Sequence, residues 1–106
     1  MYQLTFYVPA SHLDQVKNAL FEAGAGRFND YDQCAWQTLG QGQFRPLADS
    51  RPFLGQIGKL ERLAEYKVEM ICADAQIKAA ISALLAAHPY QQPAYAVYKI
   101  LDASDL

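Results

Sequence analysis

Ala64-Glu65-Tyr66-Lys67-Val68-Glu69-Met70-Ile71-Cys72 sets Tyr66, Val68, Met70 and Cys72 on one side of an extended chain and Glu65, Lys67 and Glu69 on the other. Successive side chains of a strand point to opposite faces, so a period of two predicts a strand with one polar face. Downstream, Asp74 is a candidate helix cap, and Ile77, Ile81, Leu84, Leu85 and His88 form a helical stripe that Pro89 cannot continue. A last strand, rich in Tyr and Val, is predicted at 94–101. Upstream, Leu4, Phe6 and Val8 share one face of a strand over residues 2–8, which Pro9 ends. Ser11 has the chemistry of an N-cap with Asp14 three residues on; Leu13, Val16, Leu20 and Ala23 then repeat at helical spacing until Gly24 stops the helix. Residues 34–39 read as extended.

The resulting order is strand, helix, strand, strand, helix, strand. It predicts an α+β domain of the ferredoxin-like βαββαβ plan, with an antiparallel sheet and two helices on one face. The sheet's other face is expected to carry Tyr7, Ile71, Tyr95 and Val97 among Gln3, Thr5, Glu65, Lys67 and Glu69. That mix is too apolar to leave wholly in water, so self-association is expected.

A length of 106 residues matches one domain over residues 1–106, and 52% hydrophobic content excludes disorder. A formal net charge of -2 and a pI near 5.5, with no clustered Lys and Arg, argue against nucleic acid as a partner. The opening residues lack the sections of a signal peptide, and no stretch approaches the ~20 apolar residues that span a bilayer. Cys34 and Cys72 stand in unrelated contexts, so neither a disulfide framework nor metal-ligand spacing is indicated. The expected location is cytoplasmic, with no membrane partner.

The segment 40–62 exceeds the ~12–15 residues beyond which loops tend to be functional. It holds Gly40, Gly42, Gly55 and Gly58, and it carries Arg45, Arg51, Lys59 and Arg62 against Asp49 and Glu61. Gly40-Gln41-Gly42 most simply makes a tight turn, and a short strand over Phe44–Leu47 is possible inside the loop.

Four blocks now carry a resemblance: Gly24 to Cys34 (GAGRFNDYDQC), Gly40 to Pro46 (GQGQFRP), Gly55 to Glu61 (GQIGKLE) and His88 to Tyr95 (HPYQQPAY). Together they closely resemble the YqfO-type domain, found alone or as an insert in Nif-three-like proteins and similar in fold to PII signalling proteins and CutA. The resemblance implies a homo-oligomer, specifically a trimer, and it implies no established activity. The hydrolase label attached to the larger Nif-three-like proteins belongs to metal-binding flanking domains, and two histidines cannot rebuild such a site. Where the family usually has acids after the second helix, Gln91, Gln92 and Ala96 stand here.

The candidate residues each have a functional and a structural reading. His88 ends a helix, where an imidazolium is favoured by the helix dipole, or else serves as a metal ligand. Cys34 is a soft ligand if His88 approaches it, and otherwise a small hydrophobe. Tyr90 and Tyr95 either line a pocket or pack a Pro-rich turn. Cys72 reads as inert core. The leading expectation is a regulatory or small-ligand binding module whose loop either holds an anionic small molecule through Arg45, Arg51 and Lys59, with Tyr90 beside it, or packs on a neighbouring subunit through Phe44, Phe53, Leu54 and Ile57. A divalent or soft metal-ion protein using His88 and Cys34 is the alternative, and an enzyme ranks last. No particular cofactor is indicated.

Overall fold

The computed structural model describes residues 1–106. Strands β1 (Tyr2–Pro9), β2 (Trp36–Phe44), β3 (Glu61–Cys72) and β4 (Tyr95–Lys99), with helices α1 (Leu13–Glu22) and α2 (Ile77–Ala87), follow the expected order. They form one antiparallel sheet with the strand order β2-β3-β1-β4. This is the ferredoxin-like arrangement, with the two central strands also the most strongly alternating in sequence.

Register explains the core. Leu4 stands opposite Met70 and Phe6 opposite Val68, so alternate residues of β1 and β3 are brought to one face. There Leu4, Phe6, Val8, Val68 and Cys72 lose all solvent contact against Val16 and Leu20 of α1 and Ala80 and Leu84 of α2. Each large side chain buried this way contributes about 1.5–3 kcal/mol. Helix α1 ends in a Schellman motif: the Ala25 amide donates to the Leu20 carbonyl, the Gly24 amide donates to Phe21, and Gly24 takes a φ of 101°. No helix is long and apolar enough to cross a membrane.

Several local expectations are corrected. Pro9 is the last residue of β1, and a 3-10 turn over Ala10–His12 separates it from α1. Ser11 therefore bonds the His12 ring at 2.8 Å instead of capping the helix. Helix α2 starts behind Gln76 without a side-chain cap, because the Asp74 carboxylate is taken by the chain's amino group and by Lys99. These two cations hold the Asp74 pKa below its ordinary value. Val97 stands opposite Leu4 and Tyr95 opposite Phe6, so both lie on the helix-bearing face. The open face instead carries Ala96 and Tyr98 beside Gln3, Thr5 and Tyr7, with Lys67, Glu69 and Ile71 from β3.

The largest difference lies between β2 and β3. Both strands are longer than the sequence suggests, so Gly40-Gln41-Gly42 is not a turn but part of a ladder in which Gly40 pairs with Glu65 and Gly42 with Leu63. Phe44 closes β2, and no separate strand follows it. The connecting loop shrinks to residues 45–60. Because β1 stops opposite Glu65, the outer part of this hairpin is a two-stranded ribbon with no third strand beside it. The molecule is accordingly elongated, 48 × 27 × 24 Å, with a radius of gyration of 15.0 Å where about 13 Å is usual for a chain of this length.

Candidate functional site

A bare two-stranded ribbon is marginal in water, so its tip needs other contacts. It finds them in the turn after α2. The Arg51 amide donates to Gln91 Oε1 at 2.8 Å, the Phe44 and Tyr90 ring centroids lie 5.9 Å apart, and Phe53 reaches both Tyr90 at 6.3 Å and His12 at 5.5 Å. Within the loop the Gly58 amide donates to the Pro46 carbonyl and the Ser50 hydroxyl to the Leu47 carbonyl, which holds residues 46–58 as an arch. Under the arch, over the open face of the sheet, lies a cavity of about 770 Å³. That is the size of a small-ligand site.

The cavity's walls are apolar and aromatic: Phe44, Leu47, Pro52, Phe53 and Leu54 from the hairpin, with Tyr7 and Tyr90. Polar groups share the lining. Gln43, Arg45, Asp49, Ser50, Gln91 and Gln92 stand along it, and Glu65 enters from β3. The Glu65 carboxyl lies across Gly42, where a Cβ would come within 1.6 Å of its Oε1. Glu65 has neither a salt bridge nor a hydrogen bond of ordinary geometry, and burial raises its pKa, partly offset by the neighbouring Tyr90 hydroxyl. Tyr90 Oη is itself buried without a partner in hydrogen-bonding geometry. Burial, and then the Glu65 carboxyl beside it, pushes the phenol above its ordinary pKa, so it is a neutral hydroxyl at every physiological pH.

The residues singled out by sequence divide. Arg45 and Tyr90 line the cavity, and Arg51 lines a shallower hollow next to it with Phe53, Pro89, Tyr90 and Gln91. Lys59 lines neither, because the arch turns its residue away toward the β3 end, where its amide bonds Gln56. Gly40 and Gly42 belong to the ladder, and the Gly58 amide donates to the Pro46 carbonyl, so of the glycines expected to cradle an anion Gly58 has its amide engaged within the loop.

His88 is a structural pivot. Its Nε2 meets the Tyr7 carbonyl at 2.7 Å, and its Nδ1 lies 3.1 Å from the Tyr90 amide nitrogen. A carbonyl only accepts and an amide only donates, so the ring is fixed as the neutral tautomer with its proton on Nε2. Burial depresses its pKa, with the Tyr7 carbonyl opposing in part. The expected imidazolium at the helix end is thus corrected: a charged ring would set a second N–H against the Tyr90 N–H. With both nitrogens engaged, His88 presents no lone pair to a metal. Cys34 leans on the Asp32 carbonyl at 3.7 Å, and no three His, Cys, Asp or Glu side chains gather closely enough to hold an ion.

Glu65 was read from sequence only as one polar tooth of an alternating strand. The available signal was the pair Gly40 and Gly42, which at period two leaves one face of β2 empty opposite it.

No family model matches the chain. A protein of Mycobacterium leprae named GTP cyclohydrolase 1 type 2 homolog is 43% identical over 95 residues, covering 90% of this chain and 25% of the relative. The protein of the same name from Bacillus subtilis is 39% identical over 98 residues, covering 92% of this chain and 26% of the relative. The chain therefore spans about a quarter of the length of these curated relatives. Among solved structures, a Bacillus cereus protein related to NIF3 superposes with a TM-score of 0.82 and 33% identity, over 95% of this chain and 26% of that one. The PII-like protein CutA from Nostoc superposes with a TM-score of 0.70 at 15% identity, over 100% of this chain and 86% of that one, a likeness of fold alone. Identity at this level over nearly all of the chain, with the ferredoxin-like topology of CutA, makes it a YqfO-type domain of the Nif-three-like family.

Proposed function

We propose that this domain is a regulatory module that binds an anionic small molecule and works as a trimer, with the ligand seated under the arch of residues 45–60. The observation that carries the reading is the roofed cavity: a chamber of mixed apolar, aromatic and polar lining, closed by a loop that one side-chain hydrogen bond and a few ring contacts hold to the turn after α2. Such a roof can open and reclose at modest cost, which suits a device that reports occupancy. Arg45 and Arg51 have no carboxylate within ion-pair distance, so both are free to meet an anionic group at the mouth. Trimeric assembly is supported by the fold shared with CutA and by an edge strand, β2, that leaves Trp36 68% and Leu39 59% exposed. The hydrolase name borne by the longer relatives attaches to proteins about four times this length, and nothing in the cavity arranges a nucleophile, a base and an oxyanion site.

The test is a melting-temperature screen of anionic metabolites against the parent and the variant Arg45→Ala/Arg51→Ala. A ligand of the proposed kind raises the parent's melting temperature at millimolar concentration. The double variant should lose about 1.5–3 kcal/mol of binding per charged hydrogen bond while keeping its assembly state. If no anion moves the parent, or if the variant dissociates, the loop is an assembly element and the ligand reading is wrong.

A further inference from the structure

Glu65 is an acid with no cationic partner in the chain, beside a strand, β2, that leaves space for its carboxyl. Its direct cross-strand neighbour is Gly40 and its diagonal neighbour is Gly42, so two successive positions on that face of β2 lack side chains. A Cβ at Gly40 would meet nothing within 4 Å, whereas one at Gly42 would collide with the Glu65 carboxyl. At Gly42 the result is a slot floored by backbone, with the carboxyl lying in it and the rings of Phe44 and Tyr90, 5.9 Å apart, lining the same cavity. The Tyr90 hydroxyl, buried and neutral, stands beside the same acid and acts on it as a hydrogen-bond donor, though not in ideal geometry.

A carboxylate without a cationic partner, in a cavity that aromatic rings also line, has the chemistry of a receptor for a planar cation: the acid accepts N–H bonds in pairs, and aromatic rings attract positive charge at their faces. We infer that the inner end of the cavity takes the amidine or guanidine group of a ligand, with Glu65 as the specificity-determining acceptor and Tyr90 as the residue that positions its carboxyl. The inference rests on the cavity being the ligand site proposed above and adds the identity of the ligand's buried end. With Arg45 at the mouth, the whole site suits a zwitterionic molecule whose cationic end goes in first.

The probes are benzamidine, its neutral isostere benzamide, and benzoate, each titrated into the full chain and followed by amide resonances. Benzamidine should shift the amides of Gly42, Glu65 and Tyr90 with millimolar affinity, and should bind at least about tenfold more weakly to Glu65→Gln. Benzamide should match that weaker value with the parent. Gly42→Ala, which keeps the charge but drives the carboxyl out of the slot, should weaken benzamidine similarly, so the result does not hang on one variant's folding. Benzoate reports on Arg45 and Arg51 and should be indifferent to Glu65→Gln. Benzoate failing while benzamidine binds at Glu65 would remove the anion reading and leave this one standing. Equal benzamidine binding by parent and Glu65→Gln, shifts confined to other residues, or no shift at about 10 mM would overturn it.

Discussion

His88→Ala tests whether the turn after α2 is held by a neutral imidazole. The side chain is 6% exposed and makes two hydrogen bonds that tie three segments together: the end of α2, β1 through the Tyr7 carbonyl, and the cavity wall through the Tyr90 amide. Truncation leaves that carbonyl and that amide without partners. At about 1–3 kcal/mol for each orphaned buried group, with some relief from entering water, the expected loss is about 2–4 kcal/mol. For a domain of this size roughly 4 °C of melting temperature accompanies each kcal/mol, so the drop should be about 8–16 °C. Urea unfolding at one fixed protein concentration is the assay, because assembly makes stability depend on concentration.

The pH dependence supplies an independent arm. The folded pKa of His88 lies below its unfolded value, so the folded state takes up this proton less readily than the unfolded chain. The associated stability is complete above the ordinary value of 6.5 and falls as pH drops below it, until the folded pKa is passed. Subtracting the His88→Ala profile from the parent's between about pH 5 and 7 isolates that slope, which cannot exceed about 1.4 kcal/mol per pH unit. A variant within about 0.5 kcal/mol of the parent, or one with the parent's full acid slope, would refute the neutral-tautomer argument.

Two further changes test the scaffold. Gly26→Ala places a Cβ 2.8 Å from Phe21 Cε1 and 3.0 Å from the Cys34 carbonyl at a φ of 80°, so it should cost at least about 1–3 kcal/mol in thermal or urea unfolding; a neutral result would mean that the 26–34 loop is not held as described. Thr5 lies on the open face yet is 3% exposed, and its hydroxyl has no partner, so Thr5→Val should stabilise the chain by up to about 1 kcal/mol; a loss of that size would show that the hydroxyl is bonded in solution.

The fold was legible because its central strands obey one physical rule each. Leu4, Phe6 and Val8 recur at every second position, as do Val68, Met70 and Cys72, and that period is what packing one face under two helices requires. The rule fails where nothing packs. Every residue of β2 from Trp36 to Gln41 is exposed, so no hydrophobic period marks the strand, and two glycines inside it imitate a turn. The faces of Tyr95 and Val97 were misassigned for a related reason: β4 is a short edge strand in which apolar residues run on both sides, and only its register with β1 decides which side is which.

For the site, the sequence blocks were more informative than their chemistry. Gly40 to Pro46 and Gly55 to Glu61 supply the two legs of the arch, and His88 to Tyr95 supplies the turn on which it rests, so residues of the first and last of these blocks meet around one cavity while the middle one only carries the arch. Reading them as a glycine cradle for an anion took the glycines for donors. In the folded chain the two on β2 act by omission, since Gly42 gives its side-chain space to the Glu65 carboxyl and Gly40 leaves the neighbouring space open. A strand can present a half-buried acid to a ligand only if its neighbour yields the volume, and a sequence shows the missing side chain without showing what fills its place. That asymmetry is why Arg45 and Tyr90 could be picked out from residue type alone, while Glu65 emerged only from the register of β2 against β3.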